Sequence, residues 1–295
     1  MRKQVLVIYN PSAGKNSANS ILPKAVQQLC NDNCRVIAYP VLRGYGAEKI
    51  INEEWGNFDR VVCCGGDGTL NHTINGLMAM NPEKKPLMGY IPAGSTNDCA
   101  ASMGIKDIAN TCRSVAYGQP FYYDIGKFND RYFNYIAAFG AFTEVSYSTS
   151  QKQKNHLGHA AYLIEGIRHI PIGQYHTATV TANGETFHDN YIYGSVSNST
   201  SVGGMKIDLQ SDVQMNDGLF EVLLVKAPKT PIDMQNIIAA ILTQNYEGPY
   251  LKYFKTDKVT FEFENETPWT LDGEFGGNIK STDITVIPKA IGLYK

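Results

Sequence analysis

The chain has 295 residues, 43% of them hydrophobic and 18% charged, with a formal net charge of -2. Those values fit a soluble globular protein of two domains and exclude a global electrostatic pull towards nucleic acid or anionic membrane. No apolar run approaches the roughly 20 residues that cross a bilayer, and Met1-Arg2-Lys3-Gln4 leads straight into a strand-like run without the apolar stretch of a signal peptide, so a cytoplasmic protein with no nucleic-acid partner is expected.

Residues 5–9 read as a buried strand that ends in Asn10-Pro11-Ser12-Ala13-Gly14-Lys15. Residues 17–30 read as helix, 35–39 as strand and 47–55 as helix. The third strand, residues 60–64, runs into Gly65-Gly66-Asp67-Gly68-Thr69-Leu70-Asn71, and residues 70–80 carry a helical pattern. A fourth strand, 87–91, ends in Pro92-Ala93-Gly94-Ser95-Thr96-Asn97-Asp98. Continuous apolar runs of this kind suit parallel strands covered on both faces. The βαβ rhythm predicts a doubly wound, mostly parallel sheet with its ligand site beyond the carboxyl ends of the strands, where all three loops fall.

The glycine turn carries the most chemistry. Glycine lets backbone N–H groups approach a ligand closely, and a helix N-terminus favours an anion such as phosphate. A carboxylate inside a phosphate cradle is repulsive unless a divalent cation or a reacting hydroxyl lies between them. Asp67 therefore points to phosphoryl transfer rather than passive nucleotide binding.

From about residue 121 the pattern changes. Residues 122–127, 131–138, 176–181, 191–196, 219–225, 259–263 and 284–287 read as strands, with helices at 158–169 and 231–246. This predicts two domains, an α/β unit over 1–120 and a mostly antiparallel β-sandwich over 121–295, whose last strand is free to pack back on the first unit. The cleft between domains is the default active site. The six cysteines all fall in the first 112 residues and lack zinc-ligand spacing, so they read as reduced packing thiols.

The ordered set of motifs resembles the diacylglycerol kinase catalytic-domain family, including bacterial diacylglycerol kinases and their sphingosine-kinase relatives. The resemblance spans nearly the whole chain: Asn10-Pro11 with Gly14, the glycine turn, the loop at 92–98, Asp124-Ile125-Gly126, Leu157-Gly158 with Ala161-Tyr162, Asp217-Gly218 and Asp272-Gly273-Glu274. It implies a lipid kinase that moves the γ-phosphoryl group of ATP to a lipid hydroxyl, most simply that of diacylglycerol, at the inner membrane face. It implies that Asn10, Pro11, Ser12, Ala13 and Gly14 line the nucleotide site, that Gly65, Gly66, Gly68, Thr69, Leu70, Asn71 and His72 cradle phosphates with Asp67 among them, and that Ser95 adds a hydroxyl. Glu274 matches the catalytic base. Asp67, Asp98, Asp124 and Asp217 match an acidic network that organises magnesium, with a structural magnesium at Asp217 completed by backbone carbonyls of Gln214 and Leu219. The glycines around Glu274 read as a flexible segment able to present the carboxylate.

The chain departs from the family pattern at Tyr39-Pro40-Val41-Leu42, which lacks a serine or threonine hydroxyl, at Gly44-Tyr45-Gly46-Ala47, and at Ser211-Asp212-Val213. Lys152, Lys154, His156, His159, Arg168 and His169 read either as a solvated face or as a surface for anionic lipid headgroups. Two other functions compete: an NAD kinase, which shares the glycine-acid loop but needs an acidic partner absent after Asn71, and a non-catalytic lipid-binding module. The lipid is left open among diacylglycerol, sphingosine or ceramide, phosphatidylglycerol and undecaprenol, as is a homodimer.

Overall fold

The computed structural model describes residues 2–54, 56–105, 107–141, 171–198, 201–202, 205–206, 214–243, 246 and 248–295. The expected helix at 158–169, the basic cluster around it, the Leu157-Gly158 and Ala161-Tyr162 motif and Ser211-Asp212-Val213 lie outside the described residues. The chain forms two compact units, one of residues 1–125 with 288–295 and one of residues 126–287.

The first unit contains strands β1 (Lys3–Tyr9), β2 (Cys34–Pro40), β3 (Arg60–Gly65) and β4 (Leu87–Pro92) and helices α1 (Ser17–Asn31), α2 (Ala47–Glu53), α3 (Asp67–Met78), α4 (Asp98–Met103) and α5 (Ile108–Tyr117). All four strands are parallel, in the spatial order β4-β3-β1-β2, with Val7 beside Ala38 and Val62, and Cys64 beside Ile91. Side chains alternate across the sheet. Val5, Val7, Val62, Cys64 and Ile91 share a core with Ala18, Ala25 and Leu29 of α1 and Cys112 and Val115 of α5. The alternate residues Leu6, Ile8, Val61 and Cys63 are equally buried; on that side α2 packs on α3. Burial on both faces is why these strands read as unbroken apolar runs. The last residues of the chain add a fifth parallel strand, Leu293 beside Met88 and Tyr294 beside Gly89.

The second unit is β-sandwich-like, and its paired strands are antiparallel. β7 (Ile136–Gly140) and β8 (His176–Ala182) each pair with both of two long strands, β9 (Glu185–Ser197) and β14 (Lys258–Leu271). The long strands thus pass from one layer to the other, and a register break in β14 between Glu262 and Thr267 marks such a corner. β12 (Phe220–Lys226) extends the layer from β9, β13 (Leu251–Thr256) from β12, and β15 (Glu274–Tyr294) returns along β14. Aromatic rings fill the interior: Trp269 is fully buried, with ring centroids 5.0 Å from Phe128, 4.9 Å from Phe139 and 5.2 Å from Phe261. Gly126 lies flat on Phe133, where a Cβ would stand 2.2 Å from the ring.

Some expected elements differ. The expected strand 131–138 is two, β6 (Arg131–Phe133) and β7, separated at Asn134-Tyr135. The expected helix 231–246 is helix α6 (Pro231–Leu242), which opens on a capping box between Thr230 and Asp233. No described helix is long and apolar enough to cross a membrane.

Candidate active site

The three loops at the carboxyl ends of β1, β3 and β4 meet one another through backbone. Asn10 N donates to Cys64 O at 3.1 Å, and Ala93 N donates to Gly65 O at 2.8 Å, which ties each loop to its neighbour. Asn10 Oδ1 accepts from Ser12 N at 3.0 Å, closing an Asx turn, while its Nδ2 reaches Thr69 Oγ1 at 3.3 Å. Gly14 has φ +51, and a Cβ there would stand 2.2 Å from Ala93 O. Gly66 and Gly94 face each other so closely that a Cβ on Gly94 would be 2.5 Å from Gly66 Cα. Glycines sit here because backbone meets backbone, which leaves the mouth of the sheet lined by peptide groups.

Helix α3 begins at Asp67, with Gly66 as an N-cap that offers no side-chain acceptor to its first turn. The Asp67 carboxylate instead serves the next helix. Its two oxygens accept from Asp98 N and Cys99 N, each at 3.2 Å, so it caps α4 in place of Asn97, whose side chain makes no cap bond. Asn97 adopts φ +55 and closes its own loop, with Gly94 N donating to Oδ1 at 2.9 Å and Nδ2 donating to Gly94 O at 3.0 Å. The acid in the glycine turn thus clamps the third loop onto the second. Its charge is felt beneath: burial, then Asp67, pushes the Tyr90 hydroxyl well above the ordinary tyrosine range.

The remaining expected residues divide. Ser12 and Ser95 are exposed on the loops, and Pro11 is half-buried. Leu70 and Asn71 are buried in α3, and Asn71 accepts from Asn75 Nδ2 at 2.9 and 3.0 Å. His72 Nδ1 lies 3.2 Å from Glu48 Oε1 of α2. The helix starts at Asp67 rather than Leu70, so positions 70–72 fall on its second turn. Asp98 is buried at 2% exposure and Asp124 at 0%. Asp124 Oδ1 accepts from Lys289 N at 2.7 Å, where the backbone turns through φ +50.

Glu274 belongs to the second unit and is not in a loose segment. Leu271 and Glu274 pair directly across a two-residue turn, Asp272 with φ 50 and Gly273 with φ 84, the signature of a type I′ hairpin. Asp272 is buried, and its carboxylate accepts from Asn134 N at 2.7 Å, Tyr135 N at 3.0 Å and Ile136 N at 3.2 Å. Register slips by one at Gly276, because Trp269 pairs with Gly277 and Thr270 with Phe275. Arg131 Nη1 holds that bulge through Phe275 O at 3.2 Å and Gly276 O at 3.1 Å. Residues 131–136 therefore grip the hairpin from both ends, and Glu274 and Phe275 stand exposed at its tip.

At the Asp217 turn, Oδ1 accepts from Leu219 N at 3.0 Å and Oδ2 lies 3.9 Å from Lys255 Nζ, which is also 3.4 Å from Glu221 Oε1. Burial pushes the Glu221 carboxyl up to about 7, against the downward pull of Lys255. Among the described residues no three His, Cys, Asp or Glu side chains converge as a metal cage. Magnesium that arrives with nucleotide phosphates keeps several waters and needs one or two carboxylates, a demand that the Asp67 carboxylate at the loop junction suits. The donor set at Asp217 contains an ammonium and fits such an ion poorly.

A model of the diacylglycerol kinase catalytic domain matches residues 4–128, and a model of the YegS C-terminal NAD kinase beta sandwich-like domain matches residues 137–295. Diacylglycerol kinase from Staphylococcus carnosus (strain TM300) is 30% identical over 284 residues, 95% of this chain and 91% of that one. The chain belongs to the diacylglycerol kinase family. Diacylglycerol kinase from Bacillus subtilis (strain 168) is 29% identical over 93% of this chain and 91% of its own. A crystal structure of a diacylglycerol kinase from Bacillus anthracis str. Sterne shares the fold, with 22% identity, a TM-score of 0.78 and coverage of 99% of this chain and 96% of that one. Membership makes the chain a lipid kinase.

Within this kinase, Ser17, Asn97 and Arg131 gain site-building roles that a linear reading misses. Ser17 Oγ donates to Ala93 O at 2.6 Å across the loop junction. The available signal for Asn97 is its identity, because asparagine tolerates the left-handed region. Arg131 had none, since its partners are carbonyls far along the chain.

Proposed function

We propose that the chain transfers the γ-phosphoryl group of ATP to the hydroxyl of a membrane lipid, diacylglycerol first among the candidates, giving phosphatidic acid. Three glycine-bearing loops joined backbone to backbone, with Asp67 capping α4, carry this reading, because peptide N–H groups at a helix start suit phosphate oxygens. Asn10, Ser12 and Gly14 would bound the nucleotide, the first turn of α3 would receive its phosphates, and Ser95 would add a hydroxyl. Asp67 and Asp98 would hold magnesium, which supplies neutralisation of phosphate charge when bound. Asp124 would act at one remove, fixing the backbone at Lys289.

Phosphoryl transfer runs through a loose transition state, so orientation outweighs base strength. Glu274 would orient the lipid hydroxyl and accept its proton as that oxygen bonds to the γ-phosphorus and the bond to ADP breaks. A clamped hairpin suits this role, because a positioned carboxylate loses little entropy in the transition state. The enzyme would work peripherally at the inner membrane face. Incubation with labelled ATP, magnesium and either diacylglycerol micelles, NAD or a total lipid extract tests the reading. Labelled phosphatidic acid is expected; labelled NADP alone would overturn it, and a different labelled lipid would reassign the substrate. Glu274→Gln with undiminished turnover would remove the base assignment.

A further inference from the structure

Across the antiparallel pair β12–β13, Glu221 stands directly opposite Lys255. Its neighbours Phe220 and Val222 point into the aromatic core, so Glu221 and Lys255 share the other face of the layer. Glu221 is 2% exposed, and among the described residues neither carboxylate oxygen meets a well-aligned hydrogen-bond donor. What it has is charge: Lys255 Nζ lies 3.4 Å from Glu221 Oε1 and 3.9 Å from Asp217 Oδ2. A buried carboxylate is tolerated when an opposite charge is held against it.

We propose that Lys255 is the resident cation of the Asp217 turn, so that this unit folds without the divalent ion that the family resemblance places there. Asp217 accepts from Leu219 N on Oδ1 and turns Oδ2 towards Lys255, so a divalent ion on this carboxylate would have to share it with an ammonium. Magnesium bound to that carboxylate would lie within a few ångströms of the ammonium, with the bridge to Glu221 anchoring the ammonium in place. An ion pair between directly opposed strand residues is also registered by the ladder itself, so no loop has to be ordered to form it. The proposal concerns folding and is independent of the proposed reaction.

The test is thermal unfolding of the full chain at pH 8, without nucleotide, in EDTA and in millimolar magnesium chloride. Wild type should melt at the same temperature in both, and protein purified without chelator should carry no stoichiometric magnesium by elemental analysis. Lys255→Met should melt lower in EDTA and recover by about 3 °C or more in magnesium, which then enters the vacated place. Lys255→Arg, which keeps the charge, should stay insensitive to the ion. A wild type that loses stability in EDTA, or that retains one magnesium per chain, would overturn the proposal. So would a folded Lys255→Met that magnesium does not rescue. If Lys255→Met fails to fold, the wild-type melts and metal content decide.

Discussion

Asp272→Asn isolates what holds the Glu274 hairpin. Asparagine keeps the size of the side chain and tolerates φ 50, so the turn itself is not strained. Its carbonyl can replace Oδ1, which serves Tyr135 N and Ile136 N, but the amide nitrogen then confronts Asn134 N, now 2.7 Å from Oδ2. Two charge-assisted bonds become neutral ones, for a loss of about 0.5–1 kcal/mol each, and one buried donor is stranded at a cost of about 1–3 kcal/mol. The expected total is about 2–5 kcal/mol. Urea unfolding followed by Trp269 fluorescence measures it, because that indole lies fully buried in the same unit; a Trp55→Phe background removes the second tryptophan. Turnover should fall in parallel under conditions where the variant is fully folded, because Glu274 sits two residues beyond the lost anchor. Glu274→Gln should leave the unfolding midpoint alone. An Asp272→Asn midpoint equivalent to less than about 0.5 kcal/mol of change would refute the anchoring role, since even one stranded donor exceeds it.

Gly94→Ala should abolish nucleotide binding, read with a fluorescent ATP analogue, while far-ultraviolet circular dichroism stays native, because its Cβ would stand 2.5 Å from Gly66 Cα and prise the loops apart. Asp67→Asn should cost about 1–2 kcal/mol of stability in urea unfolding through the cap of α4, and should weaken magnesium-dependent nucleotide binding more than nucleotide binding in EDTA. Native protein should release one thiol to Ellman's reagent, from exposed Cys30, and all six after denaturation. Burial pushes Cys63 and Cys112 up to about 12 and Cys64 to about 11, from an ordinary 9.0, so these thiols stay neutral when folded but ionise when unfolded. Their contribution is therefore complete below pH 9 and is lost as pH rises towards 11–12; flat stability across that window would refute the burial.

The parallel strands were legible because both faces are buried, so hydrophobicity alone marks them. Helices α4 and α5 were not, since α4 is six residues long and takes its cap from Asp67, thirty-one positions back in sequence. The long hairpin was read short for a different reason. Glu262, Glu264 and Glu266 alternate to solvent across a corner, and glycines follow the turn, so the apolar signal covers less than half of β14. At the site, the position of each loop at a strand end followed from topology, while the start of α3 did not, because an N-cap of glycine with no side-chain signal hides it.

Asp67 first reads as an anomaly, a negative charge where phosphate should bind. Its two N–H partners change the balance. Each bond draws charge into the start of α4, and the helix end there carries positive potential of its own, so less of the carboxylate field reaches an incoming phosphate. A carboxylate offers about four acceptor directions, so a capping role does not by itself exclude a cation contact. One side chain can therefore fix the geometry of two loops and still face a cation. Geometry and charge are separable by substitution: Asp67→Asn keeps one acceptor for the cap and loses the charge, whereas Asp67→Ala loses both. If the acid served only the cation, the two variants would have equal unfolding midpoints; a capping acid makes Asp67→Ala the less stable of the pair.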